Sequence, residues 1–520
     1  MTKIGTLALG LMLGGAPFAH AETFSWSTGS DPTTMDPHAV ATAPVLGFLN
    51  NIYEGLVRRG PDMVLEPSLA ESWEAMGSDG WRFRLRDGVT FHDGATFDAD
   101  DVLFSYERAS SDSSDIQAFF ATIDRVEAPD PLTVEFYTKQ PDPLFPSGVA
   151  NWLIMDRGWT EDKGAALPSK EGGTPTSFEA NGTGPFKLIS REPDVETVLE
   201  PFDGWWGEVE HNLTRAVYKP LKADATRVAA LISGGVDMIE PVPLQNVTRL
   251  EAADGIEVLS GVESRVIFFG FDHRSEALAL GDAGGANPFK DVRVRKAIYQ
   301  AIDAEVIVQQ VMRGNAQTSG LLIAPGVNGY QAEDDVRLAT DLAAAKAALA
   351  EAGFPDGFST TLRCPNDRYV NDEAICTAAV SMLAKLGLDV TLDAAPVSQY
   401  WTELREGRFD MYLLGWSPGT FDAEHPIRFL MHTPDAEKKL GSWNFGGYSN
   451  PDVDQLLPMI QQELDETARQ GMIDKVNAIL QEDAVYVPLH VQPLVWATRT
   501  GIQLQQRPDN FLILRWIRMN

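Results

Sequence analysis

Gly415-Trp416-Ser417-Pro418-Gly419 has the G-x-S-x-G spacing of a serine-hydrolase nucleophile turn, and Asp422 and His490 follow in the order Ser–Asp–His. In that turn the residue after the serine donates its backbone N–H to the oxyanion. Here it is Pro418, which has no N–H. A secreted serine hydrolase is therefore the disfavoured reading, and labelling of Ser417 by a serine-directed covalent probe would separate it from any non-catalytic one. The histidines offer no H-E-x-x-H or paired metal spacing; His425 and His432, seven positions apart, come nearest to it. No metal site, cofactor or catalytic residue is expected. Two cysteines, Cys364 and Cys376, lie twelve positions apart without close Cys or His partners for zinc. In an oxidising compartment they pair and close a short loop from Pro365 to Ile375, the alternative being two buried thiols.

The elements that must position such groups are short and alternate along the chain. Trp81 to Arg86 alternates apolar and basic residues, a half-buried strand that Asp87-Gly88 breaks. Asp98 is placed to cap a helix, with Asp101 three residues on and Phe97 and Val102 as a hydrophobic staple. Val134 and Phe136 mark another strand. In the second half, helices are predicted over Val292 to Val311 and Asp341 to Ala352, the latter stopped by Gly353 and Pro355. Ile375, Ala379, Met382 and Leu386 recur at helical spacing before Gly387, and Leu388 to Leu392 reads as a strand. Helix followed by strand, repeatedly, implies α/β lobes, which bind ligands beyond the carboxyl ends of their strands.

The N-terminus points to export. Lys3 precedes an apolar run from Ile4 to Leu13, and Ala19-His20-Ala21 supplies small residues at the two positions a signal peptidase reads. A signal peptide over residues 1–21, cleaved before Glu22, is expected. No cysteine stands at that point for a lipid anchor, so the mature chain is expected free in the periplasm. About 500 residues remain, too many for one core. Apolar residues make up 44% and charged residues 22%, a globular composition. A net charge of −32 would repel a phosphate backbone, which argues against nucleic acid as a partner.

Several segments, in order along the chain, resemble the family 5 extracellular solute-binding proteins, the dipeptide-, oligopeptide- and nickel-binding receptors of ABC importers. They are Asp31 to His38; Leu69-Ala70-Glu71-Ser72-Trp73 with Trp81 to Gly94 and Phe97 to Val102; Asn181 to Phe186; Asp203-Gly204-Trp205-Trp206-Gly207; Val294 to Ile298 with Ala301-Ile302-Asp303; and Tyr448 to Asp454. The resemblance implies an α/β, two-lobe periplasmic binding protein fold with an enlarged first lobe and two hinge crossings. Lobe I would comprise residues 22–268 and 492–520, with an extra subdomain at about 60–182, and lobe II residues 269–491. It implies capture of a small solute, by preference a short peptide, and delivery by a monomeric receptor to a permease and ATPase complex in the inner membrane. An oligosaccharide, an opine-like conjugate or a metal chelate are the alternative ligands, since one fold hosts many specificities.

The resemblance also nominates binding residues. The segment holding Trp416 is similar to the family loop that closes on a peptide's amino end, where an acidic residue binds the ammonium; Asp422, and next to it Glu424, are the candidates. Arg368 and Tyr369 match the loop whose arginine grips a ligand carboxylate, a task suited to a planar guanidinium fork. Trp401 and Trp416 are the aromatic residues expected nearest the cleft. If Cys364 and Cys376 are bridged, the loop carrying Arg368 is held rigid, which lowers the ordering cost of binding.

Overall fold

The computed structural model describes residues 22–40, 42–169 and 173–520. The expected signal peptide lies outside them. Among the described residues no helix is long and apolar enough to cross a membrane.

One long mixed sheet organises the molecule. Ten of its strands are β1 (Glu22–Ser27), β2 (Phe186–Glu192), β3 (Glu196–Pro201), β4 (Leu213–Tyr218), β5 (Met238–Ile239), β6 (Ile256–Phe271), β7 (Ser359–Pro365), β8 (Asp389–Ala395), β9 (Met411–Trp416) and β10 (Tyr486–Arg499). They run in the order β8-β7-β9-β6-β10-β5-β1-β4-β3-β2, and Gln317–Thr318 pairs with β10. The fold has two lobes, and two of these strands belong to both. β6 and β10 pair antiparallel from Ile256↔Arg499 to Gly270↔Tyr486, with the register broken between Val262 and Val266. That break lies opposite Val491–Pro493.

The first half carries a separate four-stranded antiparallel sheet, Ala70–Ala75, Gly80–Leu85, Thr133–Thr138 and Ile123–Asp130 in that spatial order. The alternating segment around Trp81 is its second strand. Helix α1 (Ala99–Ala109) lies against it and opens on the expected capping box, Asp98 Oδ1 accepting from the Asp100 N–H at 2.8 Å and Asp101 Oδ2 from the Asp98 N–H at 3.1 Å. Its core of Phe83, Phe136, Phe145 and Trp152 is fully buried.

The motifs that carried the resemblance turn out to hold one another. Buried Glu54 accepts hydrogen bonds from the indoles of Trp205 (3.2 Å) and Trp206 (2.9 Å) and from Thr183 Oγ1 (3.0 Å). His92 Nε2 bonds the Gly184 carbonyl at 3.0 Å. These bonds hold the segments around residues 54, 92, 183 and 205 together.

In lobe II the predicted helix over 292–311 is interrupted. Helix α2 (Val292–Ala301) ends at Ile302, and Asp303 then caps a new start by accepting from the Val306 N–H at 3.1 Å. A side chain that can bond the backbone offers an alternative to continuing the ladder. Helix α3 (Leu342–Glu351) is capped by Asp341, and helix α4 (Asp372–Leu386) stops at Gly387, whose φ of +109° suits a residue without Cβ. Helix α5 (Val397–Arg405) follows β8 directly.

Candidate functional site

Strand direction locates the site. In lobe I, β1 runs parallel to β4 and β5, and β5 is antiparallel to β10, so all three point the way β6 leaves the lobe. In lobe II, β7 is parallel to β8 and β9, and β9 is antiparallel to β6, so these strands run back toward lobe I. The carboxyl ends of both sets therefore face each other across the crossing, where open α/β sheets bind ligands. Ser27, Tyr218 and Ile239-Glu240 end the lobe I strands. Pro365, Ala395 and Trp416 end those of lobe II and lead into the segments holding Arg368 and Tyr369, Trp401, and Ser417 to Glu424.

The gap in the β6–β10 ladder is filled by polar groups. Gln492 Nε2 donates to Glu263 Oε2 at 2.5 Å, and its Oε1 accepts from the Val370 N–H at 3.2 Å. Arg265 reaches Glu263 Oε1 through Nη2 at 3.0 Å and the Gly415 carbonyl through Nη1 at 3.4 Å. Desolvation opposes the charge on Arg265, but the Glu263 carboxylate more than offsets it and leaves the guanidinium pKa raised. The Tyr369 hydroxyl shares the same carbonyl at 3.4 Å.

Arg368 stands beside this group. Its backbone is fixed twice over. Asp372 Oδ2 accepts from the N–H of Arg368 (2.9 Å) and Tyr369 (3.0 Å), and the Cys364–Cys376 disulfide joins the end of β7 to α4 beneath the loop. Its guanidinium lies 5.2 Å from the Tyr369 ring centroid, is exposed, and donates no hydrogen bond within the described chain. Desolvation by the surrounding loop, and then the positive charge of Arg265, lower its pKa. A fixed backbone with a free fork suits an anion arriving from outside.

The aromatic candidates form one wall. Trp416 donates from Nε1 to His425 Nδ1 at 3.2 Å and lies 5.5 Å from Trp443, which in turn lies 5.3 Å from Trp401. The loop after Trp416 is reached from lobe I: Arg59 Nη2 and Ser147 Oγ both donate to the Thr420 carbonyl, at 2.7 and 2.8 Å, and the Arg59 guanidinium lies 5.0 Å from the Phe421 ring centroid. The lobes thus touch across the cleft.

Asp422 and Glu424 take other roles. Asp422 is 1% exposed. Its Oδ1 accepts from Arg469 Nη2 at 2.6 Å and from the Glu424 N–H at 2.8 Å; its Oδ2 accepts from Arg469 Nη1 at 3.0 Å and Asn328 Nδ2 at 2.6 Å. A carboxylate offers about four acceptor positions, and all are filled. Glu424 is buried against Arg428 and Gln461, at 3.3 and 2.7 Å. Neither carboxylate is open to a ligand ammonium in this arrangement. The Ser417–Asp422–His490 set is not assembled either: Ser417 Oγ bonds Ser264 Oγ at 2.6 Å, Asp422 bonds Arg469, and neither ring nitrogen of buried His490 has a partner. His432 Nδ1 bonds the Thr433 carbonyl at 2.6 Å, while His425 serves Trp416, and among the described residues no three His, Cys, Asp or Glu side chains are grouped to hold a metal ion. Glu263, Arg265, Gln492 and Arg59 had no sequence signal of their own; only the pairing of β6 with β10 and the closeness of the lobes bring them to the site.

The model for bacterial extracellular solute-binding proteins, family 5 Middle, matches residues 64–438. The chain belongs to this family. It is 26% identical over 509 residues to the glutathione-binding protein GsiB of Escherichia coli (strain K12), covering 95% of this chain and 94% of that protein. Among solved structures it superposes on HbpA2 from Haemophilus parasuis with a TM-score of 0.80 at 21% identity, over 96% of this chain and 100% of the other. The ABC transporter-associated periplasmic binding protein DppA from Helicobacter pylori, in complex with the peptide STSA, gives a TM-score of 0.76 at 23% identity over 96% and 98%. Family 5 membership agrees with the two-lobe architecture.

Proposed function

We propose that this chain is the periplasmic receptor of an ABC importer, that its ligand is a short peptide or peptide-like acid, and that Arg368 takes the ligand carboxylate. The observation that carries this reading is the free guanidinium of Arg368. It sits on a loop tethered by a disulfide and by Asp372, beside Arg265, where two lobes meet. GsiB, named for glutathione, and DppA, held with a peptide, support the same ligand class. The Tyr369 ring lies 5.9 Å from the Arg265 guanidinium and both donate to the Gly415 carbonyl, and Trp401 and Trp416 supply the apolar wall. The chain acts without catalysis: Ser417 is a loop hydroxyl engaged by Ser264. It works as a monomer, and export removes residues 1–21.

Calorimetry tests the assignment. The parent should bind trialanine or reduced glutathione, and C-terminally amidated trialanine should bind at least tenfold more weakly. Arg368→Ala should lose about 2–5 kcal/mol toward the free acid with an unchanged melting temperature, because the side chain makes no internal hydrogen bond. Equal affinity of Arg368→Ala and the parent for the free acid would refute the carboxylate role. Failure of the parent to bind any peptide, with tight binding of a neutral sugar, would refute the ligand class.

A further inference from the structure

The reading above leaves the other end of a peptide without a partner. Its ammonium must also be desolvated on closure, and a buried unpaired charge is costly. Asp422 has all its acceptor positions filled within lobe II, Glu424 is paired there with Arg428 and Gln461, and Glu263 is engaged by Arg265 and Gln492. One carboxylate at the cleft-facing strand ends differs from these. Glu240 follows β5 at its carboxyl end, its own N–H donating to the Ser27 carbonyl at 3.0 Å. It is 9% exposed, its Oε2 is fully buried, and neither oxygen accepts a hydrogen bond within the described chain. The Arg227 guanidinium, whose charge acts on Glu240, makes no hydrogen bond to it: its Nη atoms donate to the Leu221 carbonyl at 2.9 Å, to Asp224 at 2.7 Å and to the Pro241 carbonyl at 3.4 Å, while its Nε is left without a partner.

We propose that Glu240 is the anion that receives the ammonium group of the ligand. The proposal rests on the peptide reading and completes it from the opposite lobe. A carboxylate buried without donors destabilises the chain that carries it, and a ligand N–H donor supplies the missing partner only when bound. Desolvation pushes the carboxyl up to about 8, so burial alone holds it protonated near neutral pH, and the charge of an arriving ammonium would draw it down and leave the anion. The spacing agrees. Ile239 opposes Ala497 and Val242 donates to the Val495 carbonyl, so Glu240 lies level with Trp496. From Trp496 to Gln492, which holds the Arg368 loop through Val370, are four residues of β10. At about 3.4 Å each this is roughly 14 Å, before either side chain reaches inward. A short extended peptide spans that gap with its two ends on different lobes, so binding would draw the lobes together.

The test is calorimetry on the parent and Glu240→Gln with two probes, trialanine and N-acetyl-trialanine. The variant keeps shape and removes the charge, and its ligand-free melting temperature should equal or exceed that of the parent. The expected result is a loss of about thirtyfold or more for trialanine in Glu240→Gln, with N-acetyl-trialanine bound weakly and alike by both proteins. Unchanged trialanine affinity in the variant overturns the assignment while leaving the peptide reading intact. So does an equal loss for both probes, which would mark a purely structural residue. So does a parent that binds the acetylated probe as tightly as the free amine. A parent that binds neither trialanine nor reduced glutathione overturns the peptide reading and this assignment together.

Discussion

Removing the Asp422 side chain separates a structural carboxylate from a ligand-binding one. In Asp422→Ala the Arg469 guanidinium keeps one hydrogen bond, from Nε to the Ile460 carbonyl at 3.0 Å, and loses both bonds to carboxylate oxygens. Asn328 Nδ2 and the Glu424 N–H lose their acceptor in the same step. Arg469 is buried, so the variant carries an uncompensated interior charge, a change that typically costs about 3–5 kcal/mol. The entropy of unfolding is roughly 2.1 cal/mol/K per residue, or about 1 kcal/mol/K for a chain of this length. The melting temperature should therefore fall by about 3–5 °C. Replacing both partners, Asp422→Leu with Arg469→Met, should recover most of that loss, because no unpaired charge then remains. Differential scanning calorimetry reads the stability, and titration with trialanine at a temperature where the variant is folded reads the affinity. The expected outcome is a lowered melting temperature with affinity within about threefold of the parent. A parental melting temperature combined with a thirtyfold or greater loss of affinity would refute the reasoning and return Asp422 to the ammonium.

The disulfide should contribute about 3 kcal/mol through the short loop it closes, so Cys364→Ser with Cys376→Ser should melt roughly 3 °C lower, and the parent should show no free thiol on titration in denaturant. Arg59→Ala removes a charged donor to Thr420 that exists only when the lobes touch; small-angle scattering should show a more open chain with ligand present, and the dissociation constant should rise about tenfold. Burial holds His38, His273, His425 and His490 at about 3 against 6.5 when unfolded. The unfolded chain then binds more protons between those values, so these rings lower stability as pH falls from about 6.5, each by up to about 1.4 kcal/mol per pH unit. Urea melts at pH 7 and pH 5 should show His490→Phe with a smaller loss than the parent.

Which parts of this molecule were legible in its sequence follows from the range of the forces involved. Asp98 and Asp101, Asp341, and Gly387 act within one turn of a helix, and each does in the structure what its neighbours imply. The loop of Arg368 was readable for a related reason: Cys364, Cys376 and Asp372 constrain it from within a dozen residues. The pairing of Asp422 with Arg469 was not readable, because that partner lies 47 positions away on the helix Glu466–Asp483. A short acidic loop reads the same whether its carboxylate faces solvent or a buried arginine. The same limit hid the cleft itself. Glu263, Arg265 and Gln492 become neighbours only because two strands more than two hundred residues apart pair and then lose register between Val262 and Val266. That loss of register does two things at once. It frees backbone where the lobes must bend, and it leaves side chains of both crossings to bond each other and the Arg368 loop in place of the ladder. If Arg368 takes the ligand as proposed, the same few hydrogen bonds tie it to the crossing strands, so a solute that pulls on Arg368 would also act on that crossing.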